Sequence, residues 1–140
     1  KLVAAKYTPT DELPVEEFFI VLTLGSMLEH WHTGAMTRRA ETLNGLEPIP
    51  VVSINPHQMG EIGVGPGDGV QIESRRGIID IRVRADRDVP DGMVFIPFCF
   101  HEAAANILTN PQLDPVGKIP EFKFCAVRVT PINAVSVAAE

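Results

Sequence analysis

The sequence is poor in cysteine and in aromatic residues, and it has no long apolar run. Its 140 residues include two cysteines, and aromatic side chains make up 6% of the chain. Cys99 and Cys125 are not spaced as a C-x-x-C pair and are too few for a disulfide framework, so we interpret both as buried thiols. No stretch approaches the roughly 20 apolar residues that cross a bilayer, and no signal peptide is visible. These absences favour a cytoplasmic protein without membrane contact, with a periplasmic parent protein as the alternative.

Positive charge and known catalytic motifs are also scarce. The chain has 12 Lys and Arg against 18 Asp and Glu, a net charge of −6. This balance argues against general nucleic-acid binding, because phosphate backbones are recognised by clustered Lys and Arg. It is compatible with one anionic ligand held by a local site. A nucleophile elbow, a P-loop and an H-E-x-x-H motif are missing, so the motifs predict no catalytic residue.

The segments that are present predict one mainly β domain after a polar arm. Residues 1–17 are polar and contain two prolines, so we interpret them as a linker or arm. The chain begins with Lys rather than Met, which favours a piece cut from a longer polypeptide. About six short strands with short helices predict a small barrel. The predicted strands are 18–24, 50–54, 70–74, 78–84, 93–98 and 124–129.

Helices are predicted at two places. Asn55 is a good N-cap, Pro56 suits the first helical position, and Gly63 ends a short helix that reaches about Ile62. Residues 101–108 are expected to form a second short helix. Residues 25–39 follow neither the helical nor the strand period, so most of this segment is predicted to be a loop.

The loop carries the most unusual residues of the chain, His30-Trp31-His32. Two histidines this close can bind a metal, but no third ligand has suitable spacing, and no metal site is predicted. Packing in the core or in a loop is a second interpretation. The third is hydrogen bonding and stacking with a bound ligand, since an aromatic face beside several donors suits a flat, polar, phosphorylated cofactor.

Three further groups of residues are ambiguous when judged alone. Glycine, threonine and arginine residues after the histidines suit either a phosphate site or a solvated turn. A His-Glu pair suits either acid–base chemistry or the first turn of a helix. An Asn and a Lys nearer the C-terminus suit either ligand recognition or plain exposure. These residues are Thr33, Gly34, Thr37, Arg38 and Arg39, then His101 and Glu102, then Asn106 and Lys123.

Taken together, three motifs resemble a known family. They are LGSMLEHWHTGAMTRR (24–39), GDGVQIESRRGIIDIRV (67–83) and FHEAAANILTNPQLDPVGKIPEFKFCAVRV (100–129). The chain is similar to the C-terminal domain of molybdenum- or tungsten-dependent oxidoreductases of the dimethyl sulfoxide reductase superfamily. Within that superfamily it most resembles the catalytic (alpha) subunit of formate dehydrogenase.

The resemblance implies a double-psi β-barrel over residues 18–132, followed by a tail at 133–140. It implies that the barrel binds molybdopterin guanine dinucleotide, while the parent protein holds the Mo or W. The metal ligand, the catalytic residues and a 4Fe-4S cluster belong to upstream domains, so no metal ligand is expected here. Those upstream domains are the implied partners, together with electron-transfer subunits, and the isolated domain is not expected to be catalytic.

The resemblance also implies which residues contact the cofactor, and Phe98 is expected near the substrate region. The family motif normally has Thr-Gly-Arg where this chain has Leu24-Gly25-Ser26, so a guanidinium that could bind phosphate is missing. Arg38 is a candidate replacement on sequence proximity alone. The expected cofactor contacts are Leu24, Gly25, Ser26, Met27, Leu28, Glu29, His30, Trp31, His32, Thr33, Asn106 and Lys123.

Alternative functions stay open at this point. The same domain occurs in periplasmic-type nitrate reductases, and a stand-alone subunit of a formylmethanofuran-dehydrogenase-like complex is a further alternative. A barrel of this kind can also act as a structural or protein-interaction module that binds no cofactor.

Overall fold

The computed structural model describes residues 2–4 and 6–132, and its main feature is a closed six-stranded barrel. The strands follow one another around the barrel in the order β1-β5-β2-β4-β3-β6. The prediction of a mainly β, double-psi barrel with short helices is confirmed. The strands are β1 (Ile20–Gly25), β2 (Val51–Ile54), β3 (Gly69–Glu73), β4 (Ile78–Ala85), β5 (Met93–Pro97) and β6 (Cys125–Pro131).

Alternating side chains form the barrel core, as β3 and β4 illustrate. Val70 and Ile72 of β3 are fully buried, and their neighbours along the strand are partly exposed. In β4 the buried side chains are Ile79, Ile81 and Val83. Because successive strand residues point to opposite faces, this pattern places one face of each strand inside the barrel. The half-buried antiparallel pair predicted from the sequence is confirmed.

Strand pairing brings three long or tight connections to one end of the barrel. β1 and β5 are parallel, with Gly25 opposite Pro97, and β2 is parallel to β4. β6 runs antiparallel to both β1 and β3. The carboxyl ends of β1, β3 and β5 therefore lie together with the amino ends of β2, β4 and β6. We call this the long-loop end, and the connections 26–50, 74–77 and 98–124 all lie there.

Two α-helices connect the strands. The first, α1 (Glu41–Leu46), was not predicted, and no side chain caps it. The second, α2 (Pro56–Ile62), was predicted with both of its ends. Asn55 caps it by accepting a hydrogen bond from the His57 amide at 2.9 Å, and Gly63 ends it in a left-handed conformation with φ of 82°. None of the helices in the described part of the chain is long and apolar enough to cross a membrane.

The predicted helix over 101–108 is wrong. The segment instead forms two 3-10 turns, His101–Ala103 and Ala105–Ile107. They are separated by Ala104, whose ψ of 85° is incompatible with a continuous helix. Ile107 lies against Gly77, where a Cβ atom would come within 2.2 Å of its Cγ2. Packing against the β3–β4 hairpin therefore outweighs the helix propensity of the alanines.

The arm before the barrel is docked on it through one carboxylate. Glu12, whose side chain is 10% exposed, forms ion pairs with Arg75 and Arg76 of the β3–β4 hairpin. The same carboxylate accepts a hydrogen bond from the Ala126 amide of β6 at 2.9 Å. Arg76 also donates to the Leu108 carbonyl at 2.9 Å. We call these residues the arm cluster, and it holds four separate segments of the chain together.

A buried aromatic ring follows the arm, and the domain bounds stay predictions. Phe18 is buried between the guanidinium groups of Arg75 and Arg128, whose central carbons lie 5.0 and 5.8 Å from its ring centroid. Helices and strands are found only between Ile20 and Pro131 in the described residues. The predicted tail, 133–140, lies outside the residues that the structure describes.

Candidate functional site

Every residue expected to contact the cofactor lies at the long-loop end of the barrel. Leu24 and Gly25 end β1, and residues 26–33 follow them directly. Phe98 follows the end of β5, which is the parallel neighbour of β1. Asn106 and Lys123 lie in the connection between β5 and β6. Crevices outside the carboxyl ends of parallel strands are a common place for ligands, so the topology favours this end.

The end of β1 is held by contacts from two sides. The Lys123 ammonium donates a hydrogen bond to the Leu24 carbonyl at 2.7 Å. The Phe98 amide donates to the Gly25 carbonyl at 3.2 Å, which extends the ladder with β5. A Cβ atom at position 25 would lie 2.6 Å from the Phe95 ring, so a larger residue there would displace that ring. The ammonium has three protons, so Lys123 keeps donors for a ligand beside the exposed Ser26.

His30 is buried, and protein groups engage both of its ring nitrogens. Its Nε2 donates to the Glu47 carbonyl at 2.8 Å, which leaves Nδ1 as an acceptor for the Thr37 hydroxyl at 3.3 Å. The same hydroxyl accepts from the Trp31 amide at 3.1 Å. This chain of hydrogen bonds places a proton on Nε2 and fixes the orientation of the His30 ring. Its side chain therefore serves the loop, and any ligand contact at this position falls to the backbone.

The two residues after His30 face solvent. Trp31 is 66% exposed, although aromatic rings of this size are highly buried on average. Its ring meets the His32 ring edge-on, with centroids 5.1 Å apart, and His32 lies 6.1 Å from the Phe98 ring. His32 itself has φ of 50°, a left-handed conformation that turns the chain. Together with the exposed Thr33, these side chains form an open aromatic and hydrogen-bonding surface.

The remaining residues of the 24–33 segment differ in exposure. Leu28 is almost fully exposed, and Glu29 is half-buried. Met27 is also half-buried, and its sulfur accepts a hydrogen bond from the Cys99 thiol, with the two sulfur atoms 3.4 Å apart. Burial raises the pKa of the Cys99 thiol, and Cys125 is shifted in the same direction for the same reason. Both thiols are buried, as predicted, and their raised pKa values make them poor nucleophiles.

Arg38 is engaged by a protein carboxylate. Two of its guanidinium nitrogens donate to the two carboxylate oxygens of Glu102, both at 2.6 Å. We call Arg38 and Glu102 the loop pair. The hydrogen bonds from Arg38 lower the pKa of Glu102 to about 2, and the pKa of Arg38 is raised by the same partner. Glu102 therefore stays ionised near neutral pH, which makes it an unsuitable general acid. Arg38 would have to leave Glu102 before it could bind a phosphate.

Asn106 is set apart from the other candidate residues. Its side chain is exposed, and its carbonyl accepts a hydrogen bond from the Thr109 hydroxyl at 2.9 Å. The contacts of its turn are with the β3–β4 hairpin, through Ile107 against Gly77. Within the described residues, no hydrogen bond or ring contact joins Asn106 to the Trp31–Thr33 surface. The structure thus brings Lys123 and Phe98 next to the 24–33 segment, and it places Asn106 farther around the same barrel end.

The available donors fit a polyanionic dinucleotide better than a metal ion. Ser26, Trp31, Thr33 and Lys123 all offer exposed N–H or O–H groups at the long-loop end. The indole of Trp31 adds an apolar face for a planar ring. By contrast, no group of three or more His, Cys, Asp and Glu residues within the described part of the chain could hold a metal ion.

Sequence reasoning missed the residues that hold the site together. Glu12 was assigned to a linker, although it is the centre of the arm cluster. Glu47, Phe100 and Glu102 stabilise the loop through His30 and Arg38, and none of them had been linked to the loop. Thr37 was a candidate phosphate ligand, yet its hydroxyl is used within the loop. Apart from those of Thr37, the partners of these residues lie 17 to 114 residues away in the sequence, so no local pattern could have indicated the contacts.

Comparison with known proteins agrees with this geometry. Over 129 residues the chain is 41% identical to the F420-dependent formate dehydrogenase subunit alpha of Methanocaldococcus jannaschii, covering 92% of this chain and 19% of that protein. It is 38% identical over 131 residues to the F420-dependent formate dehydrogenase 1 subunit alpha of Methanococcus maripaludis, covering 94% and 19%. The chain thus spans about a fifth of the length of these curated relatives.

A solved structure and a family model complete the comparison. The acetylene hydratase of Pelobacter acetylenicus superimposes with a TM-score of 0.74 at 16% identity, covering 89% of this chain and 21% of the hydratase. That likeness shows the fold. Residues 20–126 match the family model described as "Molydopterin dinucleotide binding domain", which covers most of the barrel. The chain therefore belongs to the family of molybdopterin dinucleotide binding domains.

Proposed function

We propose that this chain binds molybdopterin guanine dinucleotide as a domain of a formate dehydrogenase catalytic subunit. Its curated relatives are named as subunits of that enzyme and match nearly the whole of this chain. The observation that carries the proposal is the exposed Trp31–Thr33 surface. It lies in the loop that follows the β1 end contacted by Lys123, at the carboxyl ends of the parallel strands β1 and β5. Trp31 is the only tryptophan of the chain, and its 66% exposure is unusual for a side chain that is highly buried on average.

The proposed contacts divide into an aromatic part and a polar part. Trp31 and His32 offer ring faces and edges to a planar group, and Lys123 offers a positive charge to the pyrophosphate. Ser26 and Thr33 add hydroxyl donors. The Lys123 ammonium reaches the end of β1, close to the position where the family motif has Arg and this chain has Ser26. His30 acts indirectly in this proposal, by fixing the backbone of Trp31 through the Thr37 hydroxyl.

The proposed division of labour follows general cofactor chemistry. The bound cofactor and its Mo or W supply the redox chemistry, while this domain contributes binding and orientation. In the whole enzyme, formate would lose two electrons and one proton to give carbon dioxide. The metal ligand, catalytic residues and a 4Fe-4S cluster are proposed to lie in upstream domains of a longer polypeptide. Phe98, beside His32, is proposed to lie toward the substrate region.

Partners and compartment follow from the same proposal. The upstream domains would cover the other side of the cofactor, and electron-transfer subunits would pass the electrons on, with F420 as the proposed acceptor because the relatives are named F420-dependent. We place the protein in the cytoplasm, because its two buried cysteines are unpaired, as expected in a reducing compartment.

Binding of the nucleotide half can be measured with GDP as the probe. Trp31 is the only tryptophan of the chain, so its fluorescence reports directly on the proposed surface. We expect weak but saturable quenching by GDP, with ADP less effective. Lys123→Ala should weaken GDP binding by about tenfold or more, since a hydrogen bond to a charged group contributes about 1.5–3 kcal/mol. Lys118→Ala is the matched control, because Lys118 is an exposed lysine of the same connection.

The full-length gene product tests the larger claim. It should contain Mo or W together with Fe by elemental analysis, and it should reduce a dye with formate but not consume nitrate. Substitution of Trp31 and Lys123 by alanine should lower the metal content. A metal-free protein from cofactor-replete cells, inactive with formate and unchanged by these substitutions, would point to the cofactor-free structural barrel.

A further inference from the structure

The loop that carries Trp31 has little backbone structure to hold it. Between the end of β1 and the 3-10 turn Thr37–Arg39, the described residues form no helix or strand. The backbone hydrogen bonds to carbonyls of residues 30–36 are few. They run from Gly34 to Trp31 and from Arg38 to Gly34, both at 2.9 Å, and from Arg39 to Met36 at 3.1 Å. A loop with few backbone bonds opens at low free-energy cost unless side chains hold it. Side-chain contacts must therefore fix Trp31 in place.

Arg38 provides one of these contacts, from the end of the loop that lies beyond Trp31. Its two hydrogen bonds to Glu102 join the loop after β1 to the segment after β5. Its guanidinium carbon also lies 4.8 Å from the centroid of the Phe100 ring, and Phe100 is 1% exposed. The parallel fork fixes the plane of the guanidinium, and the buried ring fixes its position. The Arg38 side chain is thus bound to the barrel at two points.

The residues around Arg38 leave little room for another arrangement. The Phe100 ring meets the buried His30 edge-on, with centroids 5.6 Å apart. A Cβ atom at Gly34, where φ is 73°, would lie 2.8 Å from Arg38 Cγ and 2.9 Å from the Cys99 carbonyl oxygen. The loop backbone, the Arg38 stem and the segment after β5 are therefore in direct contact at Gly34. Movement of Arg38 would release this contact and the support of His30 together.

We propose that Arg38 and Glu102 are positioning residues that hold the Trp31–Thr33 surface in its binding orientation. The inference rests on the proposed function, since that surface is the proposed cofactor contact. It assigns Arg38 a different role from that of a phosphate ligand, because both terminal nitrogens of its guanidinium are occupied by Glu102. The role as a positioning residue also explains why the Arg38 side chain is only 16% exposed.

Hydrogen–deuterium exchange tests the hold on the loop without any ligand. In Glu102→Gln and Arg38→Lys, amides of the 30–39 segment should exchange at least tenfold faster, while amides of β3 and β4 stay unchanged. Glu73→Gln is the matched control, since it breaks the Arg128–Glu73 ion pair on the barrel strands. Unchanged exchange of the 30–39 segment in both loop-pair variants overturns the inference.

GDP affinity, measured through Trp31 fluorescence, tests the consequence for binding. Glu102→Gln should weaken GDP binding about tenfold, and it should add nothing in an Arg38→Ala background, because no cation is left there for Glu102 to hold. A merely structural role would change the unfolding midpoint without this dependence on Arg38. If the wild-type protein binds GDP and both variants bind it equally, the inference fails and the proposed function stands. If the wild-type protein does not bind GDP but the variants still loosen the loop, the proposed function fails and the hold of the pair on the loop stands.

Discussion

The arm cluster and the loop pair use the same chemistry at the same end of the barrel, but in different surroundings. The Glu12 side chain is 10% exposed. It forms ion pairs with two arginines and accepts a hydrogen bond from a backbone amide. The Glu102 side chain is 43% exposed. It forms an ion pair with one arginine and contacts a ring nitrogen of the exposed His101. An ion pair contributes according to the solvent that surrounds it and to what its loss leaves unpaired. We therefore expect the arm cluster to contribute to the stability of the whole barrel, and the loop pair mainly to order the 30–39 segment.

The surroundings of the two clusters also differ in what they leave open. Around Glu12, Phe18 is covered by two guanidinium groups, and the Leu108 carbonyl is bonded by Arg76. Around Arg38, Trp31 and Thr33 keep exposed surface and donors that no protein group uses in the described residues. A closed side and an open side of one barrel end indicate where a ligand can bind. The following predictions test this contrast, from the largest effect to the smallest.

Removal of the Glu12 carboxylate should have the largest effect on stability. Glu12→Ala leaves Arg76 and the Ala126 amide without their partner, and we expect the free energy of unfolding to fall by about 3 kcal/mol, as for a largely buried ion pair that loses one member. Urea unfolding followed by circular dichroism measures this. Glu16→Ala, at an exposed position of the same arm, should change stability by less than about 0.5 kcal/mol. Equal effects of the two substitutions would show that the arm is not held by Glu12.

The two histidines of the His-Trp-His motif should respond in opposite ways. His30→Ala removes a buried side chain, leaves the Glu47 carbonyl without its partner and frees the Thr37 hydroxyl, so we expect a loss of about 2 kcal/mol in unfolding free energy. His32→Ala should change stability by less than about 0.5 kcal/mol, because its side chain is exposed. Thermal or urea unfolding of both variants makes the comparison. In GDP titrations, His32→Ala should remove a direct contact with the ligand, whereas His30→Ala should remove none. A His30→Ala protein as stable as the wild type would argue against a structural role for His30.

The loop pair should matter less for global stability than its short distances suggest. Glu102→Gln should lower the free energy of unfolding by no more than about 1 kcal/mol, because Glu102 is partly solvated and surface ion pairs contribute little. Local exchange in the 30–39 segment should change far more than the urea midpoint does. If Glu102→Gln lowered the free energy of unfolding as much as Glu12→Ala, the loop pair and the arm cluster would not differ in their contribution to stability.

Acid should weaken the loop pair over a definite pH range. The folded-state pKa of Glu102 is about 2, below its ordinary value of 4.5, so its contribution is fully present above pH 4.5 and is lost as the pH falls toward 2. The pKa of Glu12 is also lowered, so acid weakens both clusters. Urea midpoints at pH 5, 4 and 3 should fall more steeply in the wild type than in Glu102→Gln. Parallel curves for the two proteins would contradict the assigned cause.

Local rules were sufficient where the chain builds regular elements. The β3–β4 hairpin was predicted from alternating side chains, and α2 was predicted from Asn55, Pro56 and Gly63. These features depend on neighbours within a few residues. The helix expected over 101–108 was wrong because its alternative, packing Ile107 on Gly77, joins residues 30 positions apart. The motif residues were likewise recognised as a group, but their individual orientations were not.

The sequence by itself determined the strand pattern, the buried thiols, the family resemblance and the stretch that carries the candidate site. Those properties follow from residue type and short-range spacing, and both can be read directly from the sequence. The tertiary structure decided that His30 points inward while Trp31 points outward, that Arg38 binds Glu102, and that Glu12 joins the arm to the barrel. These contacts depend on which segments barrel closure brings to the same end, because β1, β5 and β6 become neighbours only when the barrel closes.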